Sequence, residues 1–197
     1  MPEDVKARSI QARTFDLCFV GRLEEEKGVR IALDVAESMN VAAVVIGDGS
    51  LRSEVQERSR KSDGQIRYMG ALSYVDTMRT LADTKLVLVP SAWDEPFGRV
   101  AAEALAVGAL PLVSNRGGLP EIVAGLDYSA VVDTFSTDAW ILAASSLLSV
   151  GDADMEILSH SAIGHWKALF SEEALAAKLV EVYRVVTGKS SVGKTYE

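Results

Sequence analysis

Short apolar, β-branched runs alternate along this chain with segments whose apolar residues recur at the helical period, and that alternation leaves few folds open. Candidate strands fall at 15–20, 41–46, 66–69, 86–89, 109–113 and 129–132. They read as nearly continuous apolar stretches, as expected when helices cover both faces of a parallel sheet. Between them, 28–39 carries a helical stripe at Val29, Ala32, Leu33 and Ala36, and 98–107 carries one at Val100, Ala101, Ala104 and Leu105. The expected fold class is α/β, a doubly wound parallel sheet of about six strands.

After the sixth strand the pattern turns helical, at 137–148, about 154–169 and 172–186. The last of these has Ser171 as candidate N-cap, Glu172 and Glu173 in its first turn, and a stripe at Leu175, Leu179, Val182 and Val186. It is expected to pack on this domain or to reach a partner. At 197 residues the chain suffices for one domain, expected over 15–187, with 1–14 as leader or linker and 188–197 as a flexible tail.

A net charge of −8 argues against nucleic acid or an anionic lipid surface as partner. Cys18 is the only cysteine, so neither an internal disulfide nor a thiolate metal cluster can form, and a reducing cytoplasm is the expected compartment. No signal-peptide core is visible and no run of 18 apolar residues occurs, so no membrane span is expected.

Polar residues capable of chemistry gather where strands end. The first strand leads into Gly21-Arg22-Leu23, then Glu24, Glu25 and Glu26, then Lys27-Gly28 at a helix start. A helix N-terminus offers unpaired N–H groups and partial positive charge, so a diphosphate is stabilised there, with Arg22 as a fork and Lys27 as a point charge. The alternative is that both cations only pair with the glutamates, which must face away if phosphate binds. The second strand ends in Gly47-Asp48-Gly49, at the sheet edge where open α/β folds bind ligands. A tight turn alone also explains it, and the third glycine of a dinucleotide fingerprint would fall on Arg52.

The segment 90–104 sets two carboxylates eight positions apart, Glu95 in a loop before Pro96 and Glu103 on the helix beyond. Both are expected at one end of the sheet, where carboxylates accept charge-assisted hydrogen bonds from vicinal hydroxyls. Two such groups suit a ligand with a ribose and a hexose. The alternative makes Glu95 a helix-end decoration and Glu103 a solvated charge.

Taken together, Gly21-Arg22-Leu23 with Lys27-Gly28, Gly47-Asp48-Gly49, Pro90-Ser91, Glu95-Pro96-Phe97-Gly98 with Glu103-Ala104, then Gly108, Pro111 and Gly117-Gly118-Leu119-Pro120-Glu121 resemble the family 4 retaining glycosyltransferases in order and spacing. The likeness runs from about residue 16 to 124. It implies the C-terminal, Rossmann-like, donor-binding half of a GT-B fold, with an N-terminal acceptor domain absent from this chain. It implies Arg22, Lys27 and Glu95 as the catalytic set, the two cations neutralising a donor diphosphate and Glu95 touching the transferred sugar. Gly21, Gly47, Asp48, Gly49, Tyr68, Met69, Pro96, Phe97, Gly98 and Glu103 are the implied donor-binding residues, Glu103 holding the ribose and the base lying near Arg67 to Gly70. The donor is a UDP-sugar or GDP-sugar, with no cofactor and no metal. A non-catalytic nucleotide-sugar module and an epimerase or phosphorylase of the same architecture stand as alternatives.

Three further features have plainer readings. The stretch 188–195 matches the P-loop pattern but follows a helix instead of a strand, which removes the physical basis of that motif. Asp152-Ala153-Asp154 reads as helix-start chemistry, and His160 and His165 as surface or packing residues. Trp93 is either a sugar platform or packing beneath the loop.

Overall fold

The computed structural model describes residues 5–187. Six parallel strands form one sheet: β1 (Phe15–Val20), β2 (Ala43–Ile46), β3 (Ile66–Gly70), β4 (Thr84–Val89), β5 (Leu110–Ser114) and β6 (Val131–Val132), in the order β3-β2-β1-β4-β5-β6. Helices α1 (Val29–Met39), α2 (Arg52–Lys61), α3 (Tyr74–Ala82), α4 (Arg99–Ala106) and α5 (Leu119–Val123) connect them. Then α6 (Thr137–Leu148), α7 (Asp152–Phe170) and α8 (Glu172–Thr187) close the described chain. This is the doubly wound α/β fold expected from the alternation of elements, with β1 and β4 at its centre.

Burial follows from strand position. β1, β2 and β4 are flanked on both sides, and their apolar runs divide between two cores. Leu17 and Phe19 meet Val29, Leu33 and Ala36 of α1, whereas Cys18, Val44 and Val87 join Met78 and Leu81 of α3. The Cys18 thiol is fully buried, and its pKa is pushed far up by that burial. β3 departs from the expected continuous run: it is an edge strand and alternates, with Ile66 buried and Arg67 and Met69 exposed.

The stretch expected as a leader is packed over its described part. Val5 and Ile10 are buried, and the Arg13 guanidinium donates to the carbonyls of Arg8, Thr84 and Gly108 and to Ser159 Oγ, the last at 2.8 Å. Burial lowers its pKa to about 10, against the fields of Glu156 and Asp83. Arg13 thus ties the start of the domain to β4 and α7.

Ser171 caps α8 as expected, its Oγ accepting from Ala174 N at 3.2 Å. The stripe on α8 is exposed, Leu175, Leu179, Val182 and Val186 alike, and no described residue of this helix is buried. Among the described residues no helix is long and apolar enough to cross a membrane.

Candidate functional site

The sheet winds outward in both directions from β1 and β4, β1 leading through α1 to β2 and β4 through α4 to β5. Loops that diverge from two such neighbours leave a crevice at their carboxyl ends. Here that crevice is a cleft of about 400 Å³. Gly21, Arg22 and Lys27 enter it from the β1–α1 connection, and Ser91, Glu95, Pro96, Phe97 and Gly98 from the β4–α4 connection.

The β1–α1 connection is shaped by a 3₁₀ turn at Glu25–Lys27, which ends in Gly28 at φ +72°. A Cβ there would lie 2.1 Å from the Pro90 carbonyl oxygen, so only glycine lets this loop close on the end of β4. The closure brings Lys27 Nζ to 2.5 Å from Glu95 Oε1, across 68 positions of sequence. Glu95 Oε1 also accepts from the buried Ser91 Oγ at 3.1 Å. Arg22 is exposed and pairs with Glu26 at 3.1 Å, a contact worth at most about 1 kcal/mol at a solvated surface. Glu24 turns away to Ser50, and Glu25 to Arg30. Only Glu26 of the three glutamates reaches a cation of the cleft.

The helix end that opens into the cleft is that of α4, not of α1. Gly98, Arg99 and Val100 line the cleft, and the first N–H groups of a helix have no intrahelical acceptor. Gly28 and the start of α1 line a separate groove with Glu25, Glu26 and Arg30. The loop before α4 is braced from the β5–α5 connection, where Gly118 N donates to the Glu95 carbonyl at 2.7 Å. Phe97, half exposed, meets the last residue of α7, Phe170, edge to face at 5.6 Å.

Gly47, Asp48, Gly49, Tyr68 and Met69 sit at the neighbouring ends of β2 and β3 and do not line the cleft. They buttress it. Leu23 N donates to Asp48 O and Leu51 N to Leu23 O, both at 2.9 Å, while Tyr68 Oη donates to Gly47 O at 3.0 Å. The Asp48 carboxylate is engaged locally, by Gly49 N and by Arg52 at 3.2 Å. Glu103, with 12% of its side chain exposed, pairs with Arg99 at 3.3 Å. Burial raises its pKa, and the Arg99 charge opposes that rise.

Ser91 and Ser114 carry no signal of their own in the sequence, yet both are buried at the site, Ser114 Oγ donating to Ser91 O at 2.6 Å. Trp93 is exposed and lies outside the cleft lining, so it is not packing beneath the loop. Asp152 and Asp154 occupy the first turn of α7, as read. His160 is exposed beside Glu156, and His165 Nε2 lies 3.0 Å from Ile122 O. The P-loop-like stretch 188–195 lies outside the described residues.

A family model described as glycosyl transferases group 1 matches residues 1–162. The chain belongs to the group 1 glycosyltransferases. Among curated relatives, the glycogen synthase of Mycobacterium tuberculosis is 32% identical over 124 residues, 59% of this chain and 30% of the relative. The D-inositol 3-phosphate glycosyltransferase of Corynebacterium urealyticum is 32% identical over 181 residues, 84% of this chain and 42% of the relative. Among solved structures, Anabaena HepE in complex with UDP superposes with a TM-score of 0.74 at 20% identity, over 88% of this chain and 50% of that one. The group 1 glycosyltransferase fold described above is therefore the Rossmann-like fold of GT-B enzymes. The chain spans less than half the length of these two curated relatives.

Proposed function

We propose that this group 1 glycosyltransferase domain is the C-terminal, donor-binding half of a retaining, family 4 enzyme that transfers a hexose from a nucleoside-diphosphate sugar. The observation that carries this reading is the convergence of Arg22, Lys27, Glu95 and the α4 N-terminus on one cleft between the ends of β1 and β4. Anabaena HepE, which shares the fold, was solved with UDP. The donor here is a UDP-sugar or GDP-sugar.

In this mechanism, Arg22, Lys27 and the partial positive charge of the α4 terminus stabilise the negative charge that develops on the leaving diphosphate. Lys27 turns from Glu95 to the phosphates, and Glu95 then accepts from the hydroxyls of the transferred sugar. Glu103 holds the ribose, and Gly47–Gly49 and Tyr68 serve the donor indirectly, by supporting the β1–α1 loop from behind. Two cations and a helix end supply the positive charge this step needs, so the reading invokes no cofactor and no metal. The acceptor is oriented by an N-terminal domain outside this chain, and transfer takes place in the cytoplasm.

Titration calorimetry with UDP and GDP tests the reading. One of the two binds the unaltered chain, and replacing Arg22 and Lys27 together by Ala lowers its affinity on the order of a hundredfold without lowering the melting temperature. Unchanged affinity in the doubly substituted chain contradicts the assignment.

A further inference from the structure

The buried hydroxyl of Ser91 is used by no step of the mechanism above. It has one proton and three acceptors in reach: Glu95 Oε1 at 3.1 Å, Trp93 O at 3.3 Å and Glu26 O at 3.4 Å. Glu95 is the nearest and the only charged one, and hydrogen bonds to an ionised acceptor are roughly twice as strong as neutral ones. Glu26 O is already served by Ala92 N at 2.7 Å. The Ser91 main chain is fixed in turn, because Ser114 Oγ on β5 donates to its carbonyl at 2.6 Å.

We propose that Ser91 is a positioning residue that holds the Glu95 carboxylate in place for the sugar of the donor. In the free cleft two groups hold Glu95 Oε1, Lys27 at 2.5 Å and Ser91 at 3.1 Å. The inference rests on the donor reading, in which Lys27 leaves Glu95 for the diphosphate. Once it leaves, Ser91 is the side chain that still fixes Oε1, and the other carboxylate oxygen is turned to the sugar hydroxyls. Ser91 thereby acts on the sugar half of the donor and not on the diphosphate half.

The test is the ratio of dissociation constants for sugar nucleotide over nucleoside diphosphate, by calorimetry on this chain. The probe pairs are UDP-glucose with UDP and GDP-mannose with GDP, read on the pair that binds. Ser91→Ala keeps the main-chain carbonyl that Ser114 needs, and it is expected to raise the ratio about tenfold while changing diphosphate affinity less than about threefold. Ser91→Cys, close in size but a weak donor, is expected to raise it similarly and serves if the alanine variant does not fold. In a Glu95→Gln background the added Ser91→Ala change is expected to have no further effect on the ratio. Equal weakening of both ligands, an unchanged ratio, or a full Ser91 effect in the Glu95→Gln background overturns the proposal and leaves the donor reading standing. Failure of the unaltered chain to bind any of the four probes overturns both.

Discussion

The two sides of the carboxyl edge, the β1–β4 junction and the β2–β3 ends, carry similar glycine-and-charge motifs and are built for different tasks. At β1 and β4 the charged groups meet one another across an open cleft, as in the Lys27–Glu95 pair. At β2 and β3 the turn carbonyl and the tyrosine hydroxyl are spent on neighbouring backbone, Leu23 N donating to Asp48 O and Tyr68 Oη to Gly47 O. A ligand competes with one partner at the first junction, whereas at the second it would have to break the scaffold. Charge at a strand end marks a binding group only where its partner can be given up.

Gly47 offers the largest test of that contrast. Its φ of +140° is a glycine conformation, and a Cβ would lie 1.8 Å from the Gly21 carbonyl oxygen. Gly47→Ala is expected to cost about 2–4 kcal/mol in urea unfolding, and to weaken nucleotide binding only as a consequence of displacing Gly21. A variant of normal stability with lost binding would make the Gly47 turn a ligand contact instead of a buttress.

Tyr68→Phe removes one hydrogen bond of the buttress and nothing from the cleft. The expected loss is about 1 kcal/mol of unfolding free energy, with nucleoside diphosphate affinity nearly unchanged. A tenfold loss of affinity at constant stability would instead put the tyrosine against the base.

The smallest effect belongs to Glu103. Its folded-state pKa is raised by burial, so between the ordinary carboxylate value and the raised one the native state binds more protons than the unfolded state. Stability is therefore expected to fall as pH rises through that window, and Glu103→Gln to remove the fall and gain less than about 1 kcal/mol at neutral pH. Melting curves at pH 4 to 8 measure this; a variant less stable than the parent at pH 7 would show that the Arg99 pair outweighs the burial.

These contrasts show why the two sides were not equally legible. Elements with an apolar pattern could be read: 15–20 and 137–148 coincide with β1 and α6. α2 offers no stripe, since Val55 is its only buried residue, and it could not be bounded in advance. α3 went unread although Ser73 stands as its N-cap, its Oγ accepting from Asp76 N at 3.1 Å. The stripe on α8 specified a helix correctly but not its packing, because a periodic face says that something covers it and not what.

At the site, the motif letters identified the β1–α1 and β4–α4 segments, but the Lys27–Glu95 contact depends on a strand crossover that no local pattern encodes. Ser91 passed as one letter of a motif, and Arg13 as part of a leader, because each acquires its role only through partners far along the chain.

Backbone amide chemical shifts report where a nucleotide sits without altering any residue. On titration of the 197-residue chain with UDP and with GDP, the largest shifts for the nucleotide that binds are expected on Gly21, Arg22, Gly98, Arg99 and Val100. Largest shifts at Gly28, Arg30 and Ile31, in the groove at the start of α1, would contradict donor binding in the cleft.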